Sequence, residues 1–121
     1  MHGELSFFEL GVGDVARARE FYASLFGWQF VEEGGGATIA TPNIPGGIHP
    51  GDVGASPYVF FRVDDLDAAL GRVRELGGDV GGYESNEDAD KVGRFGRFAI
   101  CKDDQGSSFG LHEPPRQPRN P

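Results

Sequence analysis

Shifted against itself by 51 positions, the chain nearly repeats. Phe7-Phe8-Glu9-Leu10-Gly11-Val12-Gly13-Asp14-Val15 falls on Tyr58-Val59-Phe60-Phe61-Arg62-Val63-Asp64-Asp65-Leu66. Further on, Ala18 meets Ala69, Leu25 meets Leu76 and Gly27 meets Gly78. Each copy reads as an apolar strand, an Asp, an amphipathic helix and a closing Gly. A duplicated strand–helix unit restricts the architecture sharply and directs the search for a site to the region between the copies, without naming any chemistry.

The 121 residues suit a single domain able to bury roughly two-thirds of its unfolded surface. A formal charge of −8 argues against nucleic acid, which demands a basic face, and against an anionic membrane surface. There is no apolar run long enough to span a bilayer and no basic-then-apolar start, so a cytoplasmic location is expected. The single cysteine, Cys101, lies in the apolar run Phe98-Ala99-Ile100-Cys101 and reads as a small buried hydrophobe.

Alternation over Leu5 to Val12 predicts a strand with Ser6, Phe8, Leu10 and Val12 on one face and Leu5, Phe7, Glu9 and Gly11 on the other. Asp14 is a suitable N-cap, Val15, Ala18, Tyr22, Leu25 and Phe26 form an apolar helical stripe, and Gly27 ends it. Strands follow at Trp28 to Glu32 and Ala37 to Thr41, with a short one around Ile48 and His49. In the second copy, Val59, Phe61 and Val63 take the phase of Phe8, Leu10 and Val12 and are expected under the helices. Asp65 caps a helix with the stripe Leu66, Ala69, Leu70, Val73 and Leu76. A strand at Asp79 to Tyr83, a solvated acidic loop at Glu84 to Asp90, strands at Phe95 to Lys102 and Ser107 to Glu113, and a frayed tail from Pro114 to Pro121 complete the reading. The expected organisation is one domain, 1–121, with module one at 4–54, module two at 57–113 and the tail at 114–121.

The fold class is thus α+β: two tandem βαβββ modules whose curved mixed sheets surround a cleft, with the helices on the outer face. Phe8-Glu9-Leu10 with Asp14, the string Ala18 to Trp28 with its FY-x-x-x-FGW pattern, Tyr58 to Ala69, and Gly93 to Pro114 with its Asp-Asp-Gln-Gly turn resemble the vicinal oxygen chelate superfamily. That group includes glyoxalase I, extradiol dioxygenases, and bleomycin- and fosfomycin-resistance proteins. The likeness spans almost the whole chain up to Pro114 and is greatest to the broad glyoxalase-like group. It implies a homodimer holding a small organic molecule. For its metalloenzymes it implies a His or similar ligand near the start of each module's first strand and a carboxylate on the last strand. The matching positions here are Phe7, Tyr58 and Gly110, none of them a usual ligand, with a remaining position near Ile48 or His49.

Alternation places Phe7, Glu9, Tyr58, Phe60, Arg62, Gly110 and His112 toward the cleft. Glu9, a carboxylate among Phe7, Phe8 and Leu10, reads as a ligand contact and possible base, or else as a structural ion pair. His112 reads as a ligand or proton carrier, or as a surface residue. Tyr58 and Phe60 either enclose an apolar ligand or simply fill the cleft. No cofactor is expected. A divalent metal, if present, would draw on Glu9, His49 and His112, although zinc or iron wants at least three converging donors. The function expected is binding of a small organic ligand through Phe7, Glu9, Tyr58, Phe60, Arg62 and His112. A metal-dependent lyase or dioxygenase is the alternative, and a structural domain with a self-filled cleft is a third.

Overall fold

The computed structural model describes residues 3–84 and 89–115. The chain divides into two compact units, one of residues 7–59 and the other of residues up to 6 together with those from 60 onward. Each has the α+β make-up expected of it.

In the first unit the order of elements is β1 (Leu5–Val12, its first two residues counted with the other unit), α1 (Val15–Phe26), β2 (Gln29–Glu33), β3 (Gly36–Ala40) and β4 (Gly46–Pro50). The strands lie in the order β2-β3-β4-β1, with β1 parallel to β4 and the other neighbours antiparallel. Asp14 sits in extended backbone and its carboxylate accepts the Arg17 N–H at 3.1 Å, filling one of the helix's unpaired donors. Gly27 ends α1 at φ 77°, where a side chain would be strained. Ala37, Ile39 and Ile48 form the buried core, with Phe8, Leu10, Val12, Val15, Ala18, Trp28 and Phe30 packed on it.

The expected stripe of α1 holds only in its first half. Leu25 is 58% and Phe26 57% exposed, and no residue of α1 is fully buried. Trp28 explains the difference. Its ring lies 4.7 Å from Phe26 and 5.5 Å from both Tyr22 and Phe8, so one indole covers the sheet where Leu25 was expected.

The second unit runs β5 (Tyr58–Arg62, its first two residues counted with the other unit), α2 (Leu66–Glu75), β6 (Asp79–Glu84), α3 (Ala89–Phe95), β7 (Arg97–Lys102) and β8 (Ser108–Glu113), in the strand order β5-β8-β7-β6. Again the outer members of the module, β5 and β8, pair in parallel. Asp65 caps α2 by accepting from Ala68 N at 3.1 Å, and Glu113 Oε1 accepts from Leu66 N at 2.8 Å. Leu66, Leu70, Ala99, Cys101 and Leu111 make the core, joined by Val63, Ala69 and Val73. Cys101 is fully buried there. Val59 and Leu76, expected inside, are exposed.

α3 was not anticipated. The acidic loop expected at Glu84 to Asp90 lies partly outside the described residues, at 85–88, but Asp90 already belongs to a helix and pairs with Arg94 one turn on at 3.0 Å. Phe95 therefore ends a helix instead of starting a strand. The frayed tail expected from Pro114 lies outside the described residues beyond Pro115. Arg97 makes a two-pronged ion pair with Asp67 at 3.0 and 3.2 Å.

Glycine makes room at the parallel pairings. A methyl group built on Gly110 would fall into the ring of Phe60, its register partner. Gly110→Ala should therefore destabilise the protein by about 1–3 kcal/mol in urea unfolding. Shrinking the ring in Phe60→Leu should make the same change less costly, whereas additive losses would show that the ring and the glycine do not share that space.

Candidate functional site

The parallel register of β1 and β4 sets Glu9 beside Gly47 and Gly11 beside His49. Both glycines are needed for space. A side chain on Gly47 would collide with the Glu9 carboxylate, and one on Gly11 with the side chain and backbone of Asp52. In the room left, four polar side chains of one unit form a chain. Glu9 Oε2 lies 2.6 Å from His49 Nδ1, His49 Nε2 lies 3.4 Å from Asp52 Oδ2, and the Tyr58 hydroxyl donates to that same Asp52 oxygen at 2.9 Å. Glu9 keeps about a quarter of its side chain exposed, and His49 and Asp52 about a third. Oε1 of Glu9 has no hydrogen-bond partner among the described residues.

Carboxylate oxygens only accept when ionised, so with Glu9 and Asp52 charged both His49 nitrogens donate and the ring is an imidazolium. Burial works to lower the His49 pKa, but the hydrogen bond and charge of Glu9, helped by Asp52, outweigh it and raise it above the ordinary 6.5. Burial raises Glu9 above its usual range, and His49 only partly restores it. The Tyr58 hydroxyl is also raised, chiefly by its bond to Asp52.

The second unit repeats this frame with a different filling. Gly47-Ile48-His49 has its counterpart in Gly110-Leu111-His112, and Arg62 is the register partner of His112 as Gly11 is of His49. Where Glu9 lies over Gly47, the Phe60 ring lies over Gly110. His112 is only 4% exposed. Phe98 stacks on it with ring centres 4.4 Å apart, and Phe60 meets Phe98 edge-on at 5.1 Å. His112 Nε2 donates to the Phe95 carbonyl at 2.8 Å, which leaves Nδ1 to accept the Ser6 hydroxyl at 2.8 Å. Burial lowers its pKa below 6.5, and the nearby Arg62 charge works the same way.

The structure thus brings Glu9 and Tyr58 into one cluster with His49 and Asp52. Phe7 is buried in the same unit, while Phe60, Arg62 and His112 belong to the other. Sequence reasoning missed Asp52 altogether. Its only available signal was the paired Gly-x-His strings, which mark the fourth strand of module one and so the loop after it.

The resemblance implied a divalent metal, and the donors present do not fit one. The Glu9 and Asp52 carboxylates sit on opposite nitrogens of His49 and do not converge, the Tyr58 phenol is committed to Asp52, and both His112 nitrogens are engaged. Among the described residues no group of three His, Cys, Asp or Glu side chains could hold a metal ion.

Comparison with known proteins places the fold. The family model for the N-terminal part of bleomycin resistance protein-like domains matches residues 5–42. A glyoxylase-like domain-containing protein of Didymella fabae is 35% identical over 92 residues, covering 64% of this chain and 71% of the relative. Anthracycline biosynthesis protein DnrV of Streptomyces peucetius is 31% identical over 90% of this chain, which spans 46% of that longer protein. A solved hypothetical protein from Bacillus halodurans superposes with a TM-score of 0.70 at 14% identity, covering 98% of this chain and 99% of the other. The chain belongs to the glyoxalase/bleomycin resistance/dioxygenase superfamily and has the vicinal oxygen chelate fold. No described helix is long and apolar enough to cross a membrane.

The two histidines should titrate in opposite directions. His49 binds its proton more tightly folded than unfolded, so its stabilising contribution is full below pH ~6.5 and fades as pH rises through its higher folded value. His112 binds its proton less tightly folded, so it weakens the fold as pH falls below ~6.5. Imidazole NMR signals, assigned with His49→Gln and His112→Gln, should show one midpoint above and one below the ordinary value. Equal midpoints would contradict both environments.

Proposed function

We propose that this chain binds a small organic molecule at the Glu9–His49–Asp52–Tyr58 cluster without the usual metal of its superfamily. Glu9 is the anchor and, where the ligand is turned over, the base. The observation that carries this reading is the free Oε1 of Glu9. The carboxylate is half-buried, its other oxygen is fixed by His49, and two glycines clear the space around it and Asp52. A ligand N–H or O–H directed at Oε1 would meet a desolvated, oriented acceptor, an arrangement that makes a hydrogen bond to a charged group strong.

His49 holds the carboxylate in place and keeps the local charge near balance. Asp52 holds His49 from the other side, with Tyr58 fixing Asp52 in turn. The Tyr58 ring supplies apolar surface for the rest of the molecule. Two carboxylates around one imidazolium leave one net negative charge, which favours neutral donors or cations over anions at this cluster.

Small organic compounds with N–H or O–H donors, screened by thermal shift and confirmed by calorimetry, should yield a saturable ligand. Glu9→Ala should weaken it about tenfold, and Glu9→Gln should weaken it less for an O–H donor because an acceptor remains. Unchanged affinity in Glu9→Ala would remove Glu9 from the site. Protein purified without chelators or a polyhistidine tag should contain no stoichiometric zinc, nickel, manganese or iron. One metal per chain would instead support a metal-dependent lyase or dioxygenase.

A further inference from the structure

The inner face of α1 carries Val15 and Ala18, packed on the core of the first unit, and Tyr22, stacked on Trp28. Its outer face is apolar as well. Phe21 is 61% and Leu25 58% exposed, and with Arg17, Glu20 and Ser24 they line a shallow, open depression along the helix. These five residues follow the spacing i, i+3, i+4, i+7, i+8, which is one continuous stripe. A helix that is apolar on both faces is ordinarily covered on both, and three-fifths exposure leaves this stripe uncovered.

The repeat supplies an internal control. Shifted by 51 positions, Phe21 falls on Arg72, Ser24 on Glu75 and Leu25 on Leu76. On α2 the first two of these form an ion pair at 3.2 Å, the usual dress of a helix face turned to water. Leu76 is as exposed as Leu25, so the difference between the helices lies at Phe21 and Ser24. There α1 sets a large ring beside a small hydroxyl, a projection next to a recess. The helix ends differ too. The last turn of α2 holds Arg72 and Arg74, cations that suit the carbonyl end of a helix, whereas the last turn of α1 holds none.

We propose that the outer stripe of α1 docks against the same stripe of a second copy of this chain, the two helices antiparallel about a two-fold axis between Phe21 and Ser24. The family resemblance implied a homodimer without assigning it a face. A two-fold axis makes the stripe meet its own reverse. Each Phe21 ring then seats on the partner's Ser24, and each Arg17 reaches the carbonyl end of the facing helix, supplying the cation that end lacks. Charge selects this occupant. Two copies of formal charge −8 repel, so they meet at least cost on a neutral surface, and the stripe carries one Arg and one Glu. A basic partner would be drawn to the acidic faces instead. Two Phe21 and two Leu25 side chains at this exposure offer roughly 400 Å² of apolar surface, taking about 200 Å² for a whole phenylalanine. That is about half the apolar part of a standard interface, so the dimer is weak and exchanges with monomer. This inference stands apart from the Glu9 reading, because α1 contributes nothing to that cluster and no small molecule is required.

Sedimentation velocity of the full chain at rising concentration should show monomer giving way to dimer. Phe21→Glu, which sets two carboxylates side by side across the axis, should weaken association about a hundredfold, and Phe21→Lys should do the same. Mixed together, these two variants should form a heterodimer, seen by native mass spectrometry at an intermediate mass, because opposite charges then face one another. Leu25→Glu, a second exposed position on the stripe, should also weaken the dimer. Arg72→Ala, at the equivalent position of α2, should leave it unchanged. Three results would overturn the proposal: a monomer at every concentration, a dimer that survives Phe21→Glu, or a mixture that yields no heterodimer. Circular dichroism and thermal unfolding of each variant establish that it is folded.

Discussion

In both units the first strand pairs in parallel with the last strand of its own module, β1 with β4 and β5 with β8. Parallel neighbours cannot be joined by a tight turn, so everything between them, a helix and two further strands, is the crossover that this pairing requires. The register it imposes also fixes the two faces. Leu10 opposite Ile48 and Phe61 opposite Leu111 set the phase, and the alternate positions carry Glu9, His49, Phe60 and His112. A slip of one residue would exchange these sets, putting a carboxylate and an imidazole into the apolar core. Glycines at 47 and 110 complete the constraint by admitting a large or charged side chain against the neighbouring strand.

The duplicated frame then diverged by electrostatics and not by shape. In the first unit a charged residue lies over the glycine and its histidine sits between two acids. In the second a phenyl ring lies over the glycine and its histidine sits among Phe60, Phe98, Ser6 and the Phe95 carbonyl. The same imidazole is therefore pushed toward its charged form in one copy and toward its neutral form in the other.

Much of this was legible in the residue order. Alternation and capping placed every strand of the modules within a residue or two, except where α3 intervenes, because strand period and Asp caps are local properties. Glu9 stood out because a carboxylate among apolar neighbours has no local explanation. Leu25 and Phe26 were misjudged for the opposite reason. Helical periodicity says which residues share a face, but not that one indole from beyond the helix will cover the sheet first. Asp52 lay in a Pro- and Gly-rich stretch with no period to read, and it reaches His49 only because the loop after β4 folds back over Gly11.

The sequence by itself determined the duplication, the α+β class, the capped helices and the candidate status of Glu9, since each follows from spacing and from chemistry within a few residues. Only the tertiary structure decided who meets whom. Partners forty residues apart, such as Glu9 and His49, or more than a hundred, such as Ser6 and His112, are joined by strand register, which no local pattern encodes. The proton affinity of each histidine depends in turn on those long-range neighbours, because the free energy of a charge is set by what surrounds it in space.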